Sequence, residues 1–94
     1  MEIVGTKIRA IYSNYLFLDI YYNKDNNRYD VASIFKDTRI LGWDNAPHHR
    51  KVSTCPHHRH EFGEIHESDV QDLEKDLPKI IKYIDEFVKR HNLL

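Results

Sequence analysis

Five of the seven histidines in this 94-residue chain lie in one stretch, DNAPHHRKVSTCPHHRH (residues 44–60), beside its only cysteine and two of its three prolines. Three chemistries compete for such a cluster. The first is metal binding, because neutral imidazole and thiolate are good ligands for zinc and other transition metals. Cys55, His57, His58 and His60 fall within six residues, and Asp44 adds an oxygen donor. A zinc motif usually draws a second ligand pair from a distant element, for which His48, His49 or His66 are the candidates. The spacing is a poor match to that pattern.

The second chemistry is metal-free cleavage of RNA through its own 2′-hydroxyl. It needs a base for the 2′ proton, an acid for the leaving 5′-oxygen and a cation for the pentacovalent phosphorane. Imidazole, with an ordinary pKa of about 6.5, can fill either proton role, and a carboxylate on one ring nitrogen fixes its tautomer. His58 and His60 alternate, so an extended segment points both to one side and Arg59 to the other. Arg59 then reaches a shared phosphate only if the chain bends. His48, His49, Arg50 and Lys51 offer a second ring and further charge from across the segment. The third reading is structural: histidines that cap and brace a loop, with Asp44 and Asn45 as turn formers after a strand. Five rings in so short a stretch count against it. Cys55 reads as an idle or buried thiol, since the spacing specifies no single histidine as its base.

These residues need a scaffold. The length suits a single domain over residues 1–94, small enough that a partner or a homodimer would help to stabilise it. A net charge of −1 excludes a chain-wide basic field, leaving Arg50, Lys51 and Arg59 with the histidines as the one local footprint for RNA. A lone cysteine forms no internal disulfide. No secretion signal and no apolar run of about 20 residues is present, so the expectation is a soluble, cytoplasmic protein that does not insert in a membrane.

Residues 3–43 alternate in the manner of a β-meander. In NYLFLDIYY (14–22), Leu16, Leu18, Ile20 and Tyr22 share one face, while Tyr15, Phe17, Asp19 and Tyr21 share a wetter one. The run NKDNNR predicts a hairpin into YDVASIF (29–35), and KDT a tight connection to RILGW (39–43). IVGTKIRAIYS at the start reads as a strand in preference to a short helix. Residues 44–67 lack amphipathic period and are expected to form a long His-rich loop, with EFGEIHE able to add a short strand. Ser68 and Gln71 have capping-box spacing, predicting a helix from about residue 69 whose apolar stripe runs through Val70, Leu73, Leu77, Ile80 or Ile81, Ile84, and Phe87 or Val88. Pro78 either kinks this helix or divides it in two. The expected class is α+β: an antiparallel meander, the loop, and a C-terminal amphipathic helix packed on one sheet face.

GWDNAPHHRKVSTCPHHRH, followed by an acidic segment, a serine and a terminal amphipathic helix, resembles the TumE-type toxins of prokaryotic toxin–antitoxin pairs. The resemblance is specific at residues 43–60. It implies importance for Asp44, Asn45, His48, His49, His57, His58 and His60, with a basic residue at Arg59. A shorter form of the family pattern keeps only an aspartate–histidine–basic–histidine run, which maps onto His58, Arg59 and His60. Similar sequences commonly carry an apolar residue where this chain has Cys55, so the resemblance argues against cysteine chemistry and weakens the metal reading. Membership also implies a cognate antitoxin, expected to be a small DNA-binding protein.

The combined expectation is a toxin that acts as a metal-independent endoribonuclease without a cofactor. His58 and His60 are the acid and base, Asp44 orients an imidazole, and His48 is a further catalytic candidate. Arg59, His49, Arg50, Lys51, His57 and Asn45 hold the RNA. The alternatives are a non-enzymatic module that binds RNA or protein through the same segment, and a His-rich metal-binding protein.

Overall fold

A computed structural model describes residues 6–47 and 50–93. Six strands form one antiparallel sheet in chain order: β1 (Thr6–Ile11), β2 (Leu16–Asn23), β3 (Arg28–Phe35), β4 (Thr38–Asp44), β5 (His58–Glu61) and β6 (Glu64–Glu67). Helix α1 (Leu73–Arg90) follows. The meander arises because each connection is short and carries residues that tolerate its backbone. Lys36 and Asp37 both have positive φ, the requirement of a two-residue turn whose twist matches the flanking strands. Phe62 and Gly63 repeat this geometry between β5 and β6. Between β2 and β3, the side chains of Asn23 and Asn26 accept the amide protons of Asp25 and Arg28, the local bonding that suits asparagine to turns.

The expected alternation in β2 is observed. Leu16 and Leu18 are buried, and Ile20 and Tyr22 pack against the same core, with Tyr29, Val31, Leu41 and Trp43 from β3 and β4. Leu73, Ile80, Ile84, Phe87 and Val88 of α1 close that core from one side. Burial of these apolar side chains supplies the main driving force for the fold. The other sheet face carries Asp19, Tyr21, Asp30, Ala32, Gly42, Asp44, His58 and His60, as the ladder registers require.

Two expectations are corrected and one open choice is narrowed. The irregular segment is residues 45–57 and not 44–67, because residues 58–67 pair into the β5–β6 hairpin and extend the sheet. The helix begins at Leu73 with Asp72 as its cap, so Ser68 and Gln71 form no capping box. Ser68 Oγ instead accepts the Val70 amide, and Val70 is buried in the core ahead of the helix. Asp76 reaches back to accept the Gln71 and Asp72 amides, while Asp72 accepts that of Lys75. Of the two outcomes left open at Pro78, division is excluded: α1 is one helix, with Pro78 on its exposed side in the second turn. No helix among the described residues is long and apolar enough to cross a membrane.

Candidate active site

Two adjacent strands build the centre of the site. Asp44 ends β4 and lies directly across from His58 on β5, while His60 lies across from Gly42. The period of two therefore places His58, His60 and Asp44 on the sheet face away from α1. Asp44 Oδ1 is 2.8 Å from His58 Nε2, and Asp44 Oδ2 is 3.2 Å from His60 Nε2. One carboxylate thus stands between two imidazoles, whose rings meet edge to face with centroids 4.8 Å apart. All three residues are buried, His58 to 2 % exposure. The Ala46 amide donates to Asp44 Oδ1 and fixes the carboxylate from the backbone.

His58 is also held at its second nitrogen, where Nδ1 lies 2.9 Å from the Pro56 carbonyl oxygen. A carbonyl only accepts, so Nδ1 carries a proton. His60 sits in a different field. Burial holds its pKa below the ordinary value, Arg39 and His58 add to that lowering, and Asp44 opposes it.

Arg39 was not foreseen as a site residue. Simple alternation places it with Leu41 and Trp43 on the helix face. The β3–β4 register shifts, however: Ser33 pairs with Leu41 and Ile34 with Arg39, leaving Ile40 as an extra residue on β4. Such a bulge re-aims the side chains beyond it. Arg39 consequently lies over Gly42, where an added Cβ would be 3.5 Å from its Cδ. Asp30 was missed as well. It pairs with Asp44 across the β3–β4 ladder, and burial together with that neighbouring carboxylate raises its pKa, against the lowering effect of Arg39, Arg28 and His58. The signal for both residues lies in strand register, which no short sequence window contains.

The remaining sequence candidates separate. Arg59 points to the helix face, where it donates to the Tyr83 hydroxyl and lies 3.2 Å from Glu61 Oε2. Tyr83 in turn donates to Glu61 at 2.9 Å. The structure therefore does not bring Arg59 to His58 and His60, because β5 stays extended where a bend was required. His57 Nδ1 is 2.7 Å from the Tyr29 hydroxyl, which donates onward to the Val70 carbonyl. With its proton committed to Val70, Tyr29 accepts from His57 Nδ1. Burial and the proximity of His58 lower the pKa of His57, and burial raises that of Tyr29. Asn45 is a brace: its Oδ1 accepts from Arg28 Nη1 and the Tyr29 amide, and its Nδ2 donates to the Asn27 carbonyl. Arg50 and Lys51 are exposed on the 45–57 segment. His48 and His49 lie outside the described residues.

Among the described residues, Asp44, His58 and His60 are the one group whose donor atoms converge closely enough to hold a metal ion, with all three atoms within 4.8 Å of one another. Cys55, a free thiol, is not part of it. The arrangement can hold a proton between an imidazole and a carboxylate, present a second imidazole of lowered basicity beside it, and set one cation nearby.

No curated protein and no solved structure matches the chain. A family model described as Toxin TumE does match, over residues 2–88, which include every strand and nearly all of α1. A match of that extent carries with it a toxin of a toxin–antitoxin system and a cognate antitoxin as partner, and the chain belongs to the TumE toxin family.

Proposed function

We propose that this toxin is the effector of a type II pair and cleaves RNA without a metal ion, using the Asp44–His58–His60 cluster. The observation that carries this reading is the single buried carboxylate shared by two imidazole Nε2 atoms. His58 donates to Pro56 through Nδ1 and faces the carboxylate through Nε2, so a proton shared by His58 and Asp44 satisfies both contacts. That proton suits the general acid that releases the 5′-oxygen. His60, kept neutral by burial and Arg39, is held by Asp44 through Nε2 and serves as the base for the 2′-hydroxyl. Asp44 holds both tautomers. Arg39, with Arg28 beyond Asp30, replaces Arg59 as the cation for the phosphorane. His48 stays a further catalytic candidate and His49 an RNA-binding one, as the sequence assigns them, and Arg50 and Lys51 supply charge that draws RNA to the segment.

Burial of His58 and Asp44 means that the chain around the cluster must open for a phosphodiester to enter. The same burial favours a second reading, in which the cluster only braces the segment and the toxin occupies RNA or a protein without cutting it. Purified toxin incubated with RNA in excess chelator separates the two. Cleavage that persists there and disappears in His60→Ala, with the fold retained, supports the enzyme. Binding without cleavage under any condition supports the brace. The antitoxin, a small DNA-binding protein under this proposal, blocks either activity by covering the segment. The working unit is a single domain in the cytoplasm, alone or as a homodimer.

A further inference from the structure

His58 poses a question of charge that a hydrogen-bond count makes sharp. Its Nδ1 must be N–H, because it faces the Pro56 carbonyl at 2.9 Å. In a neutral ring, Nε2 then directs a lone pair at Asp44 Oδ1 from 2.8 Å. Two lone pairs at that distance repel, so a positive species belongs between them. A proton is one candidate, and a metal ion is the other.

The surroundings are those a metal ion needs. Two imidazole nitrogens and a carboxylate converge, with His60 Nε2 at 3.2 Å from the second oxygen of Asp44. Ligands held tetrahedrally on zinc at about 2.0–2.2 Å lie roughly 3.4 Å apart, and the three donor atoms here, at 2.8 and 3.2 Å from carboxylate to imidazole and all within 4.8 Å of one another, reach that arrangement by small side-chain movements. The Nδ1–H bond to a backbone carbonyl is the outer contact that orients a metal-ligating imidazole and fixes its tautomer. All three side chains are buried, which limits competition from water. Donor chemistry selects the ion: two imidazoles disfavour magnesium and calcium, which prefer oxygen cages, and suit zinc or a neighbouring transition metal.

We propose that Asp44, His58 and His60 form a binding site for a divalent transition-metal ion of the zinc class. This set differs from the one that density of ligands in the sequence suggests. Cys55 is excluded, and His57 is committed to Tyr29 on another side. The ion takes the place of the proton between His58 and Asp44. A corollary rests on the metal-free cleavage proposed above: an occupied site has no acid, so zinc inhibits the toxin and a chelator restores it.

The test uses the full chain freed of metal, titrated with Co²⁺ and read by visible absorption, with Zn²⁺ retention measured in parallel by equilibrium dialysis. One ion per chain is expected, with the absorption of a four-coordinate nitrogen/oxygen site. Affinity falls more than about tenfold in His60→Asn and in Asp44→Asn, each checked for retained fold by circular dichroism, and is unchanged in Cys55→Ser. Absence of both the Co²⁺ absorption and Zn²⁺ retention overturns the proposal, as does binding that survives in both variants or is lost in Cys55→Ser. These readouts require no cleavage, so failure of the nuclease reading leaves them intact. Cleavage that depends on zinc and disappears with the bound ion would support the site while sinking metal-free catalysis.

Discussion

Asp30 and Asp44 face each other across the β3–β4 ladder, one carboxylate exposed to the field of the other at the edge of the histidine cluster. The pair has a measurable consequence for stability against pH, and α1 supplies the opposite case. Burial and Asp44 hold the Asp30 carboxyl above its ordinary pKa, whereas the Gln71 and Asp72 amides hold Asp76 below it. The signs follow from proton linkage. Folding takes up a proton at Asp30, so its ionisation weakens the fold as pH rises through the raised pKa. Asp76 stabilises the fold above its ordinary pKa, and this is lost as pH falls through the lowered one. Denaturant midpoints measured across the acid range are predicted to move in opposite directions. Relative to the parent chain, Asp30→Asn gains stability as pH rises out of the carboxylate range, and Asp76→Asn loses it.

The two arginines nearest the cluster in sequence and in space are predicted to separate function from folding. Arg59 is bound on the helix face to Glu61 and Tyr83, whereas Arg39 lies over Gly42 on the histidine face. Arg59→Ala should lower stability by about 1–2 kcal/mol, since Glu61 and Tyr83 each lose their charged partner and keep only the hydrogen bond between them. Its growth inhibition should survive once folding is accounted for. Arg39→Ala should leave the unfolding midpoint nearly unchanged and reduce RNA cleavage by roughly 100-fold, the scale of a lost transition-state cation. The reverse pattern would return the phosphate to Arg59.

Asp44 is predicted to matter for both properties, in separable amounts. Removing one partner of a buried ion pair costs roughly 3–5 kcal/mol, so Asp44→Ala should be severely destabilised. Asp44→Asn keeps the shape and an acceptor for the Ala46 amide, and should unfold at a denaturant concentration between those of the other two chains. It should still be inactive in a growth assay, because the carboxylate that holds both imidazoles has gone.

Gly42 tests the sheet beneath the site. A Cβ there would lie 2.8 Å from the Val31 carbonyl oxygen, a backbone atom that cannot move without disturbing the β3–β4 ladder. Gly42→Ala is therefore predicted to cost roughly 1–3 kcal/mol in thermal or chemical unfolding, although alanine is a small residue.

Local pattern was enough for much of this molecule. The period of two in residues 14–22 assigns Leu16 and Leu18 to the core, and the alternation of His58 and His60 places both rings on one side, as observed. What escaped was set by contacts between distant segments. The bulge at Ile40 turns Arg39 onto the histidine face, and only the β3 partner shows that the register shifts there. Asp30 joins the cluster through the same ladder. Ser68 has the spacing of a cap, yet Asp72 wins because Val70 is drawn into the core outside the helix and Asp76 takes the amides in front of the helix. EFGEIHE gave a sign of its strand, but the hairpin beginning at His58 depended on pairing with β4. Asp44 was expected to orient an imidazole, and the family resemblance singled out both Asp44 and His58; that these two, fourteen positions apart, are joined is set by the pairing of β4 with β5.

The central claim is that this cluster cuts RNA by proton transfer to and from the substrate's own 2′-hydroxyl. The most direct measurement is the chemical identity of the RNA ends left by purified toxin in excess chelator. A 2′,3′-cyclic phosphate and a free 5′-hydroxyl are predicted, with no cut at a position whose 2′-hydroxyl is replaced by hydrogen and none by a folded His60→Ala variant. Intact RNA, ends bearing a 5′-phosphate, or unchanged cleavage by that variant would contradict the account.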